Sequence, residues 1–94
     1  MAAQRSGQVT VTTAGTAVQG PDFDCDFVQL VAHPSNTDSV WVGVDSTGAD
    51  VANTTGFPLT TSGNQVIMDV ANLQELYFDA EVNGNKVCWV AIKY

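Results

Sequence analysis

The chain has 94 residues, enough for one domain of the usual size, and an apolar share of 45% that suits a globular core. Only 14% of residues are charged, and ten acids against Arg5, Lys86 and Lys93 give a net charge of −7. Three scattered cations cannot neutralise a row of phosphates, which excludes a nucleic-acid-binding face and disfavours an anionic membrane surface. No apolar run approaches the ~20 residues of a membrane-spanning helix.

Thr, Ser, Asn and Gln supply 27 of the 94 residues, and with Val and Gly they favour strands joined by polar turns. Residues 1–7 read as a flexible arm without a hydrophobic signal segment, and 8–94 as a single β domain made in a cytosol. Gln8-Val9-Thr10-Val11-Thr12 alternates polar and apolar, the period of a half-buried strand. Gly15 interrupts it, and Thr16-Ala17-Val18 resumes before the Gly20-Pro21 turn. Val28, Leu30 and Ala32 mark one face of a strand that stops at Pro34, and turn residues run from Pro34 to Ser39. Val40-Trp41-Val42-Gly43-Val44 is the next strand, and residues 45–64 read as a long loop anchored by Val51 and Leu59. A strand over 65–70 and a turn over 71–74 follow.

Asn83-Gly84 between two β-prone runs is a strong hairpin signal, because a type I′ turn needs positive φ at both centres. A two-residue loop there sets Glu81 opposite Lys86, Ala80 opposite Val87 and Phe78 opposite Trp89. Leu76, Phe78, Ala80, Val82, Val87, Trp89 and Ala91 then form a core face. The expected fold is all-β: one small antiparallel sandwich or barrel of about 6–8 strands, closed by this hairpin.

Chemistry-bearing groups are few. Asp22, Asp24 and Asp26 share one side of an extended chain, but a calcium loop starting at Asp22 needs glycine at 27 and an acid at 33, where Phe27 and His33 stand. Asp45 and Asp50 could join them only if the fold brought them close. The run reads as a solvated acidic edge, and no metal or other cofactor is expected. His33 is the sole histidine, with nothing around it like a strained nucleophile turn, so no catalytic residues and no enzyme activity are expected. Cys25 and Cys88 read as free thiols, with a 25–88 bridge as the alternative. The candidates that remain are contact residues. Trp41 points away from the Val40–Val42 row, either covered by a loop, anchoring an interface, or stacking on a sugar. Tyr77, Val90, Ile92 and Tyr94 fall on the outward face of the hairpin, where they meet another protein or lie under a second layer of this chain.

The run Ala32-His33-Pro34-Ser35-Asn36-Thr37-Asp38-Ser39-Val40-Trp41-Val42-Gly43 resembles a group of small structural proteins of tailed bacteriophages. The likeness continues through Gly56-Phe57-Pro58-Leu59, Asn72-Leu73-Gln74-Glu75-Leu76-Tyr77 and the closing Asn-Gly turn before a strand that ends in Tyr94. It implies a β-structured virion accessory protein: a decoration (cement) protein on the outer surface of the capsid, bound to the major capsid protein. Less often such a protein is a small tail or fibre module that binds a receptor or carbohydrate. It also implies a homo-oligomer, with a trimer ahead of a dimer because shell decoration often uses three-fold positions.

Overall fold

The computed structural model describes residues 3–45 and 56–94, so Val51 and Asp50 lie outside the described residues. Eight strands run in chain order: β1 (Ala3–Thr10), β2 (Val18–Gln19), β3 (Phe27–Ala32), β4 (Val40–Gly43), β5 (Phe57–Leu59), β6 (Gln65–Met68), β7 (Tyr77–Ala80) and β8 (Lys86–Lys93). They form two four-stranded antiparallel sheets, ordered β1-β8-β3-β6 and β2-β7-β4-β5. The architecture is a sandwich, and no barrel closes. One 3₁₀ turn, Leu73–Glu75, is the only helical element among the described residues, and none of their helices is long and apolar enough to cross a membrane.

Alternation decides the core. Val28, Leu30 and Ala32 of β3 and Val87, Trp89 and Ala91 of β8 point inward from the first sheet. Phe78 and Ala80 of β7, Val40 and Val42 of β4, and Leu59 of β5 meet them from the second. Gly7 of β1 is directly opposite Trp89, and a Cβ on Gly7 would stand 2.8 Å from the indole Cζ2. That missing side chain is the room in which the ring lies. Phe23 closes the same end of the core, its ring 6.4 Å from that of Trp89, with the Arg5 guanidinium 5.7 Å above it.

Three expectations are corrected. The Asn83-Gly84 turn exists: Asn85 N–H donates to the Val82 carbonyl at 3.3 Å, and Gly84 has φ of 84°. The strands beside it do not pair. β7 lies between β2 and β4 and β8 between β1 and β3, so the turn carries the chain from one sheet to the other. Five residues between Ala80 and Lys86 reach easily across the ~10 Å that separates packed sheets. The turn is tied to β1 instead, with Gly84 N–H donating to the Val11 carbonyl (2.8 Å) and Val11 N–H to the Asn85 carbonyl (2.9 Å). Glu81 and Lys86 therefore stand on different sheets, and Glu81 N–H donates to the Ser39 carbonyl. The expected core face is nonetheless buried except at Val82, because inward alternation holds whether the strands pair or face each other across the core.

The second correction is the arm. Residues 3–7 are strand, paired with β8 from Ala3–Lys93 onward. The edge of β8 offers unpaired backbone groups, and the polar sequence Gln4-Arg5-Ser6-Gly7 meets them at no cost in exposed apolar surface. Third, the stretch read as a loop over 45–64 contains β5, whose Leu59 fills the core opposite Val40. Pro58 hid this strand from the sequence pattern, and it is tolerated because β5 is an edge.

Two buried asparagines fasten the β3–β4 loop. Asn36 donates from Nδ2 to the Lys86 carbonyl (2.7 Å) and accepts the Lys86 N–H at Oδ1 (2.8 Å), acting as a short extra strand beside β8. Asn85 accepts from Thr37 N–H and donates to the Asp38 carbonyl.

Candidate interaction surfaces

The register fixes what the first sheet shows on its outer side. Cross-strand rows read Gln4–Ile92–Phe27, Ser6–Val90–Gln29–Ile67 and Gln8–Cys88–Val31–Gln65. Tyr94 follows just beyond the first row, its ring 6.0 Å from that of Phe27. Ile67 is 62% exposed and Tyr94 74%, while Phe27, Val31, Cys88, Val90 and Ile92 are half-buried. Among these outward strand positions only Lys86, at one end, is charged, and none of the chain's ten acids is there. A shallow hollow of about 340 Å³ opens in the middle, lined by Gln29, Val31, Gln65, Cys88, Trp89 and Val90.

The second sheet is different. Trp41 is flanked in register by Pro58 and Asp79, with Tyr77 one step further along β7 on the same side. The indole is half-buried, and its Nε1 is shielded with no hydrogen-bond partner among the described residues. Asp79 is fully buried although it points away from the core. The loop between β1 and β2 covers it: Gly15, at φ of 88°, donates its N–H to Asp79 Oδ1 at 2.9 Å, and Ala14 N–H donates to Asn83 Oδ1 at 2.7 Å. Asp79 Oδ1 also accepts the Ala80 N–H at 2.8 Å, and the side chain pins the loop over the sheet.

The contact residues singled out in the sequence thus separate into two groups. Val90, Ile92 and Tyr94 share the outer face of the first sheet, and Trp41 and Tyr77 share that of the second. Tyr77, Val90, Ile92 and Tyr94 were expected on one hairpin face, and the crossing at Asn83-Gly84 separates Tyr77 from the other three. Phe27, Val31, Ile67 and Cys88 join the first group. Their signal was present in the sequence: if Val28, Leu30 and Ala32 point inward, Phe27 and Val31 point out.

The acidic run is absorbed into local structure. Asn72 donates from Nδ2 to Asp22 Oδ1 (2.8 Å) and Asp24 Oδ1 (3.0 Å), accepts Phe23 and Gln74 N–H groups at Oδ1, and completes a capping box with Glu75. Asp26 accepts Tyr94 N–H and pairs with Lys93 at 3.6 Å. A second hollow, of about 330 Å³, is bordered by Asp26, Asp69, Glu75 and Lys93, with the buried Cys25 at its base. Among the described residues no three His, Cys, Asp or Glu side chains converge as a metal ion would require. His33 Nδ1 accepts the Ser35 N–H at 3.0 Å and lies 2.7 Å from Ser35 Oγ, a local turn at the end of β3.

Both cysteines are free. Cys25 Sγ donates to the Val70 carbonyl, and burial, with Asp26 and Glu75 nearby, pushes its thiol above the ordinary value against an opposing effect of Lys93. Burial also raises the Cys88 thiol, with Lys86 acting the other way.

No protein-family model and no curated protein sequence matches this chain.

Proposed function

We propose that this protein is a virion structural protein that docks on the outside of a bacteriophage capsid and stabilises the assembled shell. The observation that carries this reading is the outer face of the first sheet. On a molecule with a net charge of −7 its outward strand positions carry no carboxylate, and they set Phe27, Val31, Ile67, Cys88, Val90 and Ile92 around Gln29 with Gln4, Ser6, Gln8 and Gln65 along the edge strands. Apolar centres with uncharged polar rims are the make-up of protein contacts. The charge elsewhere keeps unbound copies soluble. The resemblance to tailed-phage structural proteins supplies the partner, the major capsid protein. Stabilisation then follows from linkage: a protein that binds only the assembled shell favours that state by RT ln(1 + [L]/Kd), ~2.7 kcal/mol per site at a hundredfold excess over Kd.

The test pairs location with mutation. Purified particles should carry the protein in hundreds of copies on the shell surface. Replacing both Ile67 and Val90 with Asp should leave a folded protein that no longer occupies shells. Undiminished occupancy by that variant, or a few copies confined to the tail, would overturn the reading. The latter result would favour a tail module acting through Trp41.

A further inference from the structure

A sandwich has four sheet edges, and three of them are blunted here. β2 is two residues long, β5 carries Pro58, and β6 is four residues long with Asp69 just past its end. These are the usual means by which sheets avoid pairing with other chains. Among the described residues β1 has none of them and pairs with β8 alone. It runs eight residues along the edge of the first sheet without a proline or an acid, and its sole charge, Arg5, is drawn over the Phe23 ring.

The backbone of this edge can be followed residue by residue. Val11 exchanges bonds with Gly84 and Asn85, on the β8 side. Alternation therefore turns the groups of Ala3, Arg5, Gly7 and Val9 toward β8, and those of Gln4, Ser6, Gln8 and Thr10 toward the open side. β8 agrees: the Lys86 and Ile92 carbonyls accept from His33 and Asp26, on its β3 side, leaving its odd-numbered residues for β1.

We infer that β1 pairs with the β1 of a second copy, antiparallel about a two-fold axis through Gly7, and joins two first sheets into one of eight strands. In that register Gln4 meets Thr10 and Ser6 meets Gln8, so each outward group has a partner, and Arg5 meets Val9, so no like charges are opposed. A second copy is the occupant because the sequence of this edge is complementary to itself in full overlap. The acids elsewhere on the chain repel a copy approaching by other routes. The inference goes beyond the proposed function, since it needs no shell, and it sets two docking faces side by side on one continuous sheet.

Ser6→Pro removes an outward N–H while leaving the bonds to β8 intact, and Gln8→Pro does the same one pair along. The experiment measures solution mass from micromolar to millimolar concentration, together with backbone amide exchange of the wild type. The expected result is twice the chain mass, falling to a monomer in either variant with the fold retained. The Gln4, Ser6, Gln8 and Thr10 amides should be protected in concentrated wild-type protein and lose protection on dilution, a reading that does not depend on the variants folding. A wild-type monomer at millimolar concentration, a trimer, or exchange at these four amides that ignores concentration would each overturn the inference. A dimer that ignores capsids would instead count against the proposed function, and a monomer that still decorates them would count only against the β1 pairing.

Discussion

Trp89 shows how one residue fixes its surroundings. It is only 5% exposed, in the row Gly7–Trp89–Leu30, and its ring lies over the glycine and against Phe23. Its Nε1 is enclosed without a partner among the described residues, so shape rather than hydrogen bonding holds the ring. Trp89→Ala should destabilise the fold by about 3–5 kcal/mol, most of what a domain this small has to lose. A denaturant midpoint near that of the wild type would show that the ring is not central to the core. Gly7 is the counterpart: a strand glycine is ordinarily a weak point, and here it is required by the ring it faces.

At the scale of elements, β1 and the Asn83-Gly84 crossing are one structure. The crossing leaves the β7 side of β8 without a hairpin partner, and β1 takes that place along the whole of β8. Removing residues 1–7 should therefore cost stability, because it deletes five cross-strand pairs, Ala3–Lys93 to Gly7–Trp89, and uncovers the indole. At about 0.2–1 kcal/mol per pair the loss is about 1–5 kcal/mol. Thermal or urea unfolding of the truncated chain would measure it, and a midpoint equal to that of the full chain would mean that these residues act as an arm after all.

For the molecule as a whole, the two thiols give a stability that depends on pH. Both are raised above the ordinary value of 9.0, which means that the folded state binds the thiol proton more tightly than the unfolded chain. Their contribution is fully present below that ordinary value and is lost as pH rises through the higher folded one. Melting temperatures from neutral pH to pH ~10 should fall more steeply for the wild type than for Cys25→Ala; equal slopes would show that Cys25 contributes nothing to the alkaline limb. Labelling should also separate the pair, with half-buried Cys88 reacting in the native protein and Cys25 only on unfolding.

Much of the fold is written in the order of residues. Period-two alternation in Val28-Gln29-Leu30-Val31-Ala32 and in Val87-Cys88-Trp89-Val90-Ala91 determines which side chains are core, whatever strand lies alongside, because the pleat turns successive residues to opposite sides. The all-β class, the core position of Trp89 and the outward position of Val90 and Ile92 follow from that alone. Asn83-Gly84 likewise determines a turn, since its chemistry is local. Which sheet each strand joins is not local. β7 and β8 could pair or face each other with the same residues inward, and the choice is made by β1, β2, β3 and β4, which occupy their edges from far along the chain. Only the assembled sandwich therefore decided that Tyr77 and Ile92 lie on opposite faces, that Phe27 and Ile67 join Val90 and Ile92 on theirs, and that β1 is left as an open edge among the described residues.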